Sequence, residues 1–154
     1  MDSVSHAAWG ATIIRKLPHV WWAVFFGLLP DIIWGVYWAL KYRGQSFNRG
    51  LEVRNSPENL EVHFQVYYFV HSLIPITVVT IIIYLVAPSY TIVVIPYYLH
   101  IIMDIFTHQG VWATRIFYPL SDFYFEGRDW WRNRWISIGN WLALVVINLI
   151  IFIW

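Results

Sequence analysis

The chain has 154 residues, of which 59% are hydrophobic, 20% aromatic and only 12% charged. Soluble domains carry roughly 25% charge, and a domain this small leaves too much of its surface in water to hide so much apolar material. The composition excludes a disordered chain and an ordinary soluble enzyme. Ten Lys+Arg against nine Asp+Glu leave a net charge of +1, which makes no case for nucleic acid as a partner; the absence of cysteine excludes a disulfide scaffold, thiol catalysis and Cys-ligated metal.

Residues 2–16 read as a short helix that starts at a cap on Asp2 or Ser3 and ends at Arg15-Lys16-Leu17-Pro18. At 1.5 Å per residue it reaches about 21 Å, too short for an easy crossing and long enough for a half-helix packed on the next span. Its cations follow the apolar part and no small-residue cleavage site succeeds it, unlike a signal peptide. Four stretches then meet the need for about 20 apolar residues per crossing: 18–40, 63–86, 90–107 and 136–154. The expected fold class is all-α, an integral membrane bundle of four transmembrane helices plus the N-terminal half-helix, forming one domain over 1–154.

Segments 41–62 and 108–135 hold eight of the ten basic residues, and 87–89 is a tight Ala-Pro-Ser turn. If each intervening stretch crosses once, both basic segments share a side. The positive-inside rule puts them in the cytoplasm, and the chain in a cell (inner) membrane as a multi-pass protein.

The spans contain Asp31, His71, His100 and Asp104. Ionisable groups in a bilayer cost several kcal/mol each and mark interior, functional positions. Counted from the cytoplasmic ends, Asp31, His71 and His100 all lie roughly 10–14 Å deep, and Asp104 one turn nearer the loop. That common depth predicts one polar cluster. His100 and Asp104 are spaced i, i+4 and share a helix face, which His108 extends; His6 reaches a similar depth if the half-helix folds back. Imidazoles and carboxylates without thiolate suit Zn²⁺, with Mn²⁺ or Fe²⁺ as alternatives. A carboxylate left off the metal, Asp31 or Asp104, would serve as base toward an activated water. Hydrogen-bonded packing is the bland alternative for any single histidine, and an interfacial position the bland one for His19, His63 and His108.

These residues occur in the order His6-Ala-Ala-Trp-Gly10, Leu29-Pro30-Asp31, Val70-His71-Ser72, His100-Ile-Ile-Met-Asp104, Thr107-His108-Gln-Gly110 and Tyr118-Pro119-Leu120. The pattern resembles a family of small membrane-bound metal-dependent hydrolases, a domain of unknown function. The resemblance implies a metal site built from His6, Asp31, His71, His100 and Asp104, with His108 and His63 as further candidates. It departs from the family where Ile33 replaces the second acid of a Pro-Asp-x-Asp. A His-Arg-Gly ahead of His-Ser is also missing, its nearest pieces being Arg43-Gly44 and His63. The His-x-x-x-Asp followed by a further His is also faintly similar to zinc-dependent phospholipases C.

Segment 112–135 interleaves nine aromatic residues with four arginines. Aromatics anchor at headgroup level, and arginine forks phosphate. Arg128 and Arg132, at i, i+4, are expected on one helical face, and with Arg115 they are the candidate contacts to a lipid headgroup. The expected function is hydrolysis of a phospholipid-like or lipid-linked phosphoester, with membrane lipids as partners. The alternatives are a metal or proton transporter, disfavoured because 78–86 and 90–98 carry neither acid nor base beyond tyrosine hydroxyls, and a structural subunit whose polar cluster is packing glue.

Overall fold

The computed structural model describes residues 1–17, 19–43 and 57–153, with side chains from Phe64 onward in the last of these. Arg49 and Arg54 lie outside the described residues, as does the side chain of His63. Among the described residues six α-helices follow in order: α1 (Ser3–Ile14), α2 (Val20–Lys41), α3 (Pro57–Val70), α4 (Leu73–Val86), α5 (Ile95–Thr107) and α6 (Arg134–Ile153). A 3₁₀ segment, Pro88–Val94, leads into α5. No β-strand occurs among the described residues; one isolated bridge joins Arg115 to Tyr124. The all-α membrane architecture is as expected. Among the described residues three continuous helical stretches, Val20–Lys41, Pro88–Thr107 and Arg134–Ile153, are long and apolar enough to cross a bilayer.

The second expected span is not one helix. Its two halves, Phe64–Val70 and Leu73–Val86, meet at a 45° bend, and the break falls on His71-Ser72. A broken helix leaves amides and carbonyls unpaired, which a membrane tolerates only where protein re-satisfies them. Here segment 113–118 and α5 do so. Leu73 N donates to the Ile116 carbonyl at 2.9 Å. Ser72 Oγ donates to the Tyr118 carbonyl at 2.7 Å and the buried Tyr97 hydroxyl to Val70 O at 2.5 Å.

Helix α1 begins where expected: the Asp2 carboxylate accepts from Ser5 N at 2.8 Å, closing an N-cap. The helix folds back along the first half of α2. Glycines permit the approach, since a Cβ on Gly10 would stand 3.0 Å from the Ala23 carbonyl oxygen and one on Gly27 3.1 Å from that of His6. Small residues at membrane helix contacts serve this purpose generally.

Polar groups join α1 to α6. Trp9 Nε1 donates to Asn140 Oδ1 (2.8 Å), and Asn140 Nδ2 to Ser5 Oγ (2.8 Å). Two turns on, Asn148 Nδ2 donates to Thr12 Oγ1 at 2.9 Å. The two asparagines, spaced i, i+8, keep one face of α6 on the half-helix while its remaining sides, such as Leu142, Val146 and Leu149, stay exposed as a lipid-facing surface requires. The apolar core lies between α4 and α5, around Ile76, Val94, Tyr97, Ile101 and Ile116.

Candidate metal centre

Asp31, His71, His100 and Asp104 converge from α2, the α3–α4 break and α5, and α1 adds His6. Of these His6, His71, His100 and Asp104 are at most 2% exposed. The two bridging histidines are held alike. His71 Nδ1 donates to the Tyr67 carbonyl at 2.9 Å and His100 Nδ1 to the Gly27 carbonyl at 2.7 Å. A ring nitrogen that donates to a carbonyl fixes the tautomer, leaving a lone pair on the other nitrogen. In both residues that other nitrogen, Nε2, is buried without a hydrogen-bond partner.

Carboxylate oxygens surround these lone pairs. Asp31 Oδ1 lies 3.5 Å from His71 Nε2 and 3.8 Å from His100 Nε2. Asp104 Oδ2 lies 3.8 and 3.1 Å from the same two atoms. Lone pairs facing anionic oxygens repel unless a cation stands between them. Ligand edges around a tetrahedral ion with bonds of 2.0–2.1 Å are about 3.3–3.4 Å, within the range of these separations. The donor set therefore fits a divalent ion. Two groups of side chains, His6–His100–Asp104 and Asp31–His71–His100, each bring one ligand atom per residue within 4.8 Å of the others and could hold a metal. They share His100, whose Nδ1 is already engaged, so its single lone pair serves one centre rather than two.

The neighbours differ for each acid. Asp31 Oδ2 accepts from Ser3 Oγ at 2.5 Å, and its side chain is 25% exposed. Asp104 is enclosed: Oδ1 faces His6 Nε2 at 3.2 Å, His108 Nδ1 at 3.3 Å and the terminal ammonium of Met1. His6 also stacks on His100, ring centroids 3.5 Å apart. The back-folded half-helix thus brings His6 into direct contact with the cluster, closer than the loose depth match suggested.

A cavity of about 760 Å³ opens over the Asp31 side, lined among others by His108, Gln109, Trp130, Trp131 and Arg132. Its wall is irregular chain pinned to the end of α5. Gly127 N donates to His108 O (3.0 Å), Arg128 N to Phe106 O (3.0 Å) and Trp130 N to Thr107 O (3.1 Å), so the segment caps carbonyls that the helix leaves unpaired. A Cβ on Gly127 would stand 2.6 Å from the carbonyl oxygens of Ile105 in α5 and of His108 just after it, so only glycine fits here. The buried Asp129 accepts from Gln109 N and Nε2 at 3.2 and 3.1 Å.

This arrangement corrects one expectation. Residues 128–132 do not form a helix, so Arg128 and Arg132 share no helical face; capping of α5 prevails over their i, i+4 spacing. Arg115 lies apart from the other two. Arg115 pairs with Asp122 and lies over the Tyr68 ring, 4.0 Å from its centroid, beside a separate cavity. Of the three, only Arg132 lines the cavity over Asp31, its Nε 3.5 Å from Asp129 Oδ2. His19 packs with a tilted ring against Tyr90, away from the cluster. Ser3, Asp129 and Gly127 were not singled out for these roles from the sequence. Ser3 alone left a signal, as a cap candidate at the tip of a half-helix long enough to reach the cluster.

Residues 1–154 match the YdjM inner membrane protein family over their whole length. The chain belongs to that family. No curated protein and no solved structure matched it. Within a YdjM-family chain, the buried His/Asp cluster is compatible with a metal site set in a multi-pass inner membrane fold.

Proposed function

We propose that the protein is a metal-dependent hydrolase acting at the membrane on a phospholipid-like or lipid-linked phosphoester. The observation that carries this reading is the pair of buried, unpartnered Nε2 atoms on His71 and His100, each fixed from behind by a backbone carbonyl and each facing two carboxylates. His71, His100, Asp31 and Asp104 would hold the ion, with His6 beside Asp104. Zn²⁺, or Mn²⁺ or Fe²⁺, would supply Lewis acidity and lower the pKa of water toward about 7.

The chain's own residues divide the remaining work. Asp104, enclosed and contacted on both oxygens, is the anchoring carboxylate. Asp31 would hold the ion through Oδ1, which faces both histidines, and its Oδ2, held by Ser3 beside the cavity, is the oxygen left off the metal and placed to take a proton on the substrate side. His108 lines the same cavity with Nδ1 against Asp104, an orientation that suits proton delivery to a leaving oxygen. Arg132 supplies the cavity's guanidinium for an anionic ester, and Trp130 and Trp131 a headgroup-level rim. The cavity opens on the side of Arg128 and Arg134, which the positive-inside rule assigns to the cytoplasm.

A transport path would need polar groups continuing to the opposite face; Leu73–Val86 offers only threonine and tyrosine hydroxyls. Metal analysis of the purified protein beside Asp104→Ala is the test. About one divalent ion per wild-type chain, lost in the variant, supports the site, and release of phosphate or alcohol from a phosphoester panel in detergent supports the reaction. Equal metal content in both proteins rejects the ligand set. A wild-type protein that keeps its metal and cleaves no ester rejects the hydrolase.

A further inference from the structure

A further cavity, of about 310 Å³, lies between α1, α5 and α6, lined by Met1, Trp9, Ile13, Leu99, Met103 and Ile136 with Asn140. Its chemistry is opposite to that of the cavity over Asp31. The only polar side-chain groups on its wall, the Trp9 indole nitrogen and the Asn140 amide, are consumed by each other and by Ser5. Nothing remains to hold a polar ligand. From Met1 to Ile13 this wall follows α1 for about 18 Å toward the membrane interior. Ile13 is 43% exposed, so the groove is open on its flank. Met1 lines both cavities, so the apolar groove and the polar cavity lie on either side of that residue, whose ammonium contacts Asp104.

We infer that this groove receives a hydrocarbon chain of a membrane phospholipid, whose phosphoester lies in the cavity over Asp31. The inference rests on the hydrolase reading for what happens to the headgroup, and names the substrate as an amphiphile entering sideways from the bilayer. Three observations favour an acyl chain over a soluble phosphoester. The groove offers only apolar surface. It borders α6, a helix whose outer sides face lipid. It neighbours the polar cavity across the single residue Met1, the spacing that the chain and headgroup of one lipid would need. A soluble ester would need the polar cavity alone.

The test uses the full-length, metal-loaded protein in nanodiscs of a phosphatidylglycerol and phosphatidylethanolamine mixture. A fraction of the phospholipid carries a diazirine in the acyl chain. After irradiation, label mapped by mass spectrometry is expected on Ile13, Leu99 and Met103 at about fivefold or more over the exposed lipid-facing residues of α4, such as Ile81 and Leu85. Met103→Trp, which fills the groove, and Ile13→Trp at its far end are each expected to cut that label at least threefold while metal content stays at the wild-type level. Two variants guard against one that fails to fold. Even labelling of all lipid-facing helices, or label that persists in both folded variants, overturns the inference. Selective, blockable labelling of a protein that cleaves no ester keeps the groove and rejects only the hydrolase.

Discussion

Helices α5 and α6 are both apolar enough to span a bilayer, yet 44% of the apolar window ending in α5 is buried within the protein against 6% for that of α6. The first carries His100 and Asp104 toward α1, α2 and the α3–α4 break. The second carries two asparagines, both satisfied by α1, and otherwise meets lipid. A buried polar group in a span can therefore mean two things. In α6 the asparagine amides bond to neighbours, the signature of helix packing. In α5 the His100 lone pair is aimed at the carboxylates of Asp31 and Asp104, an arrangement compatible with a metal ligand.

That contrast breaks down if substitutions in the two helices have similar consequences. Asp104→Ala is expected to have the largest effect, weakening divalent metal binding by more than the roughly 10–100-fold that loss of an outer-shell partner costs; metal analysis after dialysis against a graded chelator measures it. Gly127→Ala should follow. Its Cβ collides with backbone oxygens at the end of α5, and overpacking of about 1–3 kcal/mol should lower the thermal midpoint in detergent and expose the tryptophan-rich wall to quencher. Ser3→Ala releases one oxygen of Asp31 and is expected to weaken metal binding about 10-fold with no change in melting. Asn148→Leu should have the smallest effect, about 0.6 kcal/mol and below about 1.7, read by chemical unfolding with metal content unchanged. If Asn148→Leu lost metal as Asp104→Ala does, the cluster would be packing and the distinction would fail.

Much of the cluster was legible before the fold was known, because a bilayer gives each position along a helix a depth. Asp31, His71 and His100 share that depth, and the structure brings them together. His6 was placed less firmly, since a 12-residue helix reports its depth only once its direction is known. The α3–α4 break was not legible. His71 and Pro75 stand in an unbroken apolar run, and what permits the bend is a carbonyl from Ile116 and a hydroxyl from Tyr97, both distant in the chain. The arginines misled for the same reason. Their i, i+4 spacing is a local signal, and it yields to three hydrogen bonds that draw 127–130 onto the end of α5.

The sequence by itself determined the all-α membrane class, three of the spans and which polar side chains lie within the membrane, because lipid penalises every charge and every unpaired backbone group along the chain. Only the tertiary structure decided which nitrogen of each histidine is free, which carboxylate is enclosed and which meets the cavity. It also decided that, of three candidate arginines, only Arg132 lines that cavity. Those properties depend on partners contributed by other helices, such as the Gly27 carbonyl behind His100 and the Ser3 hydroxyl on Asp31, and spacing along one helix carries no information about them.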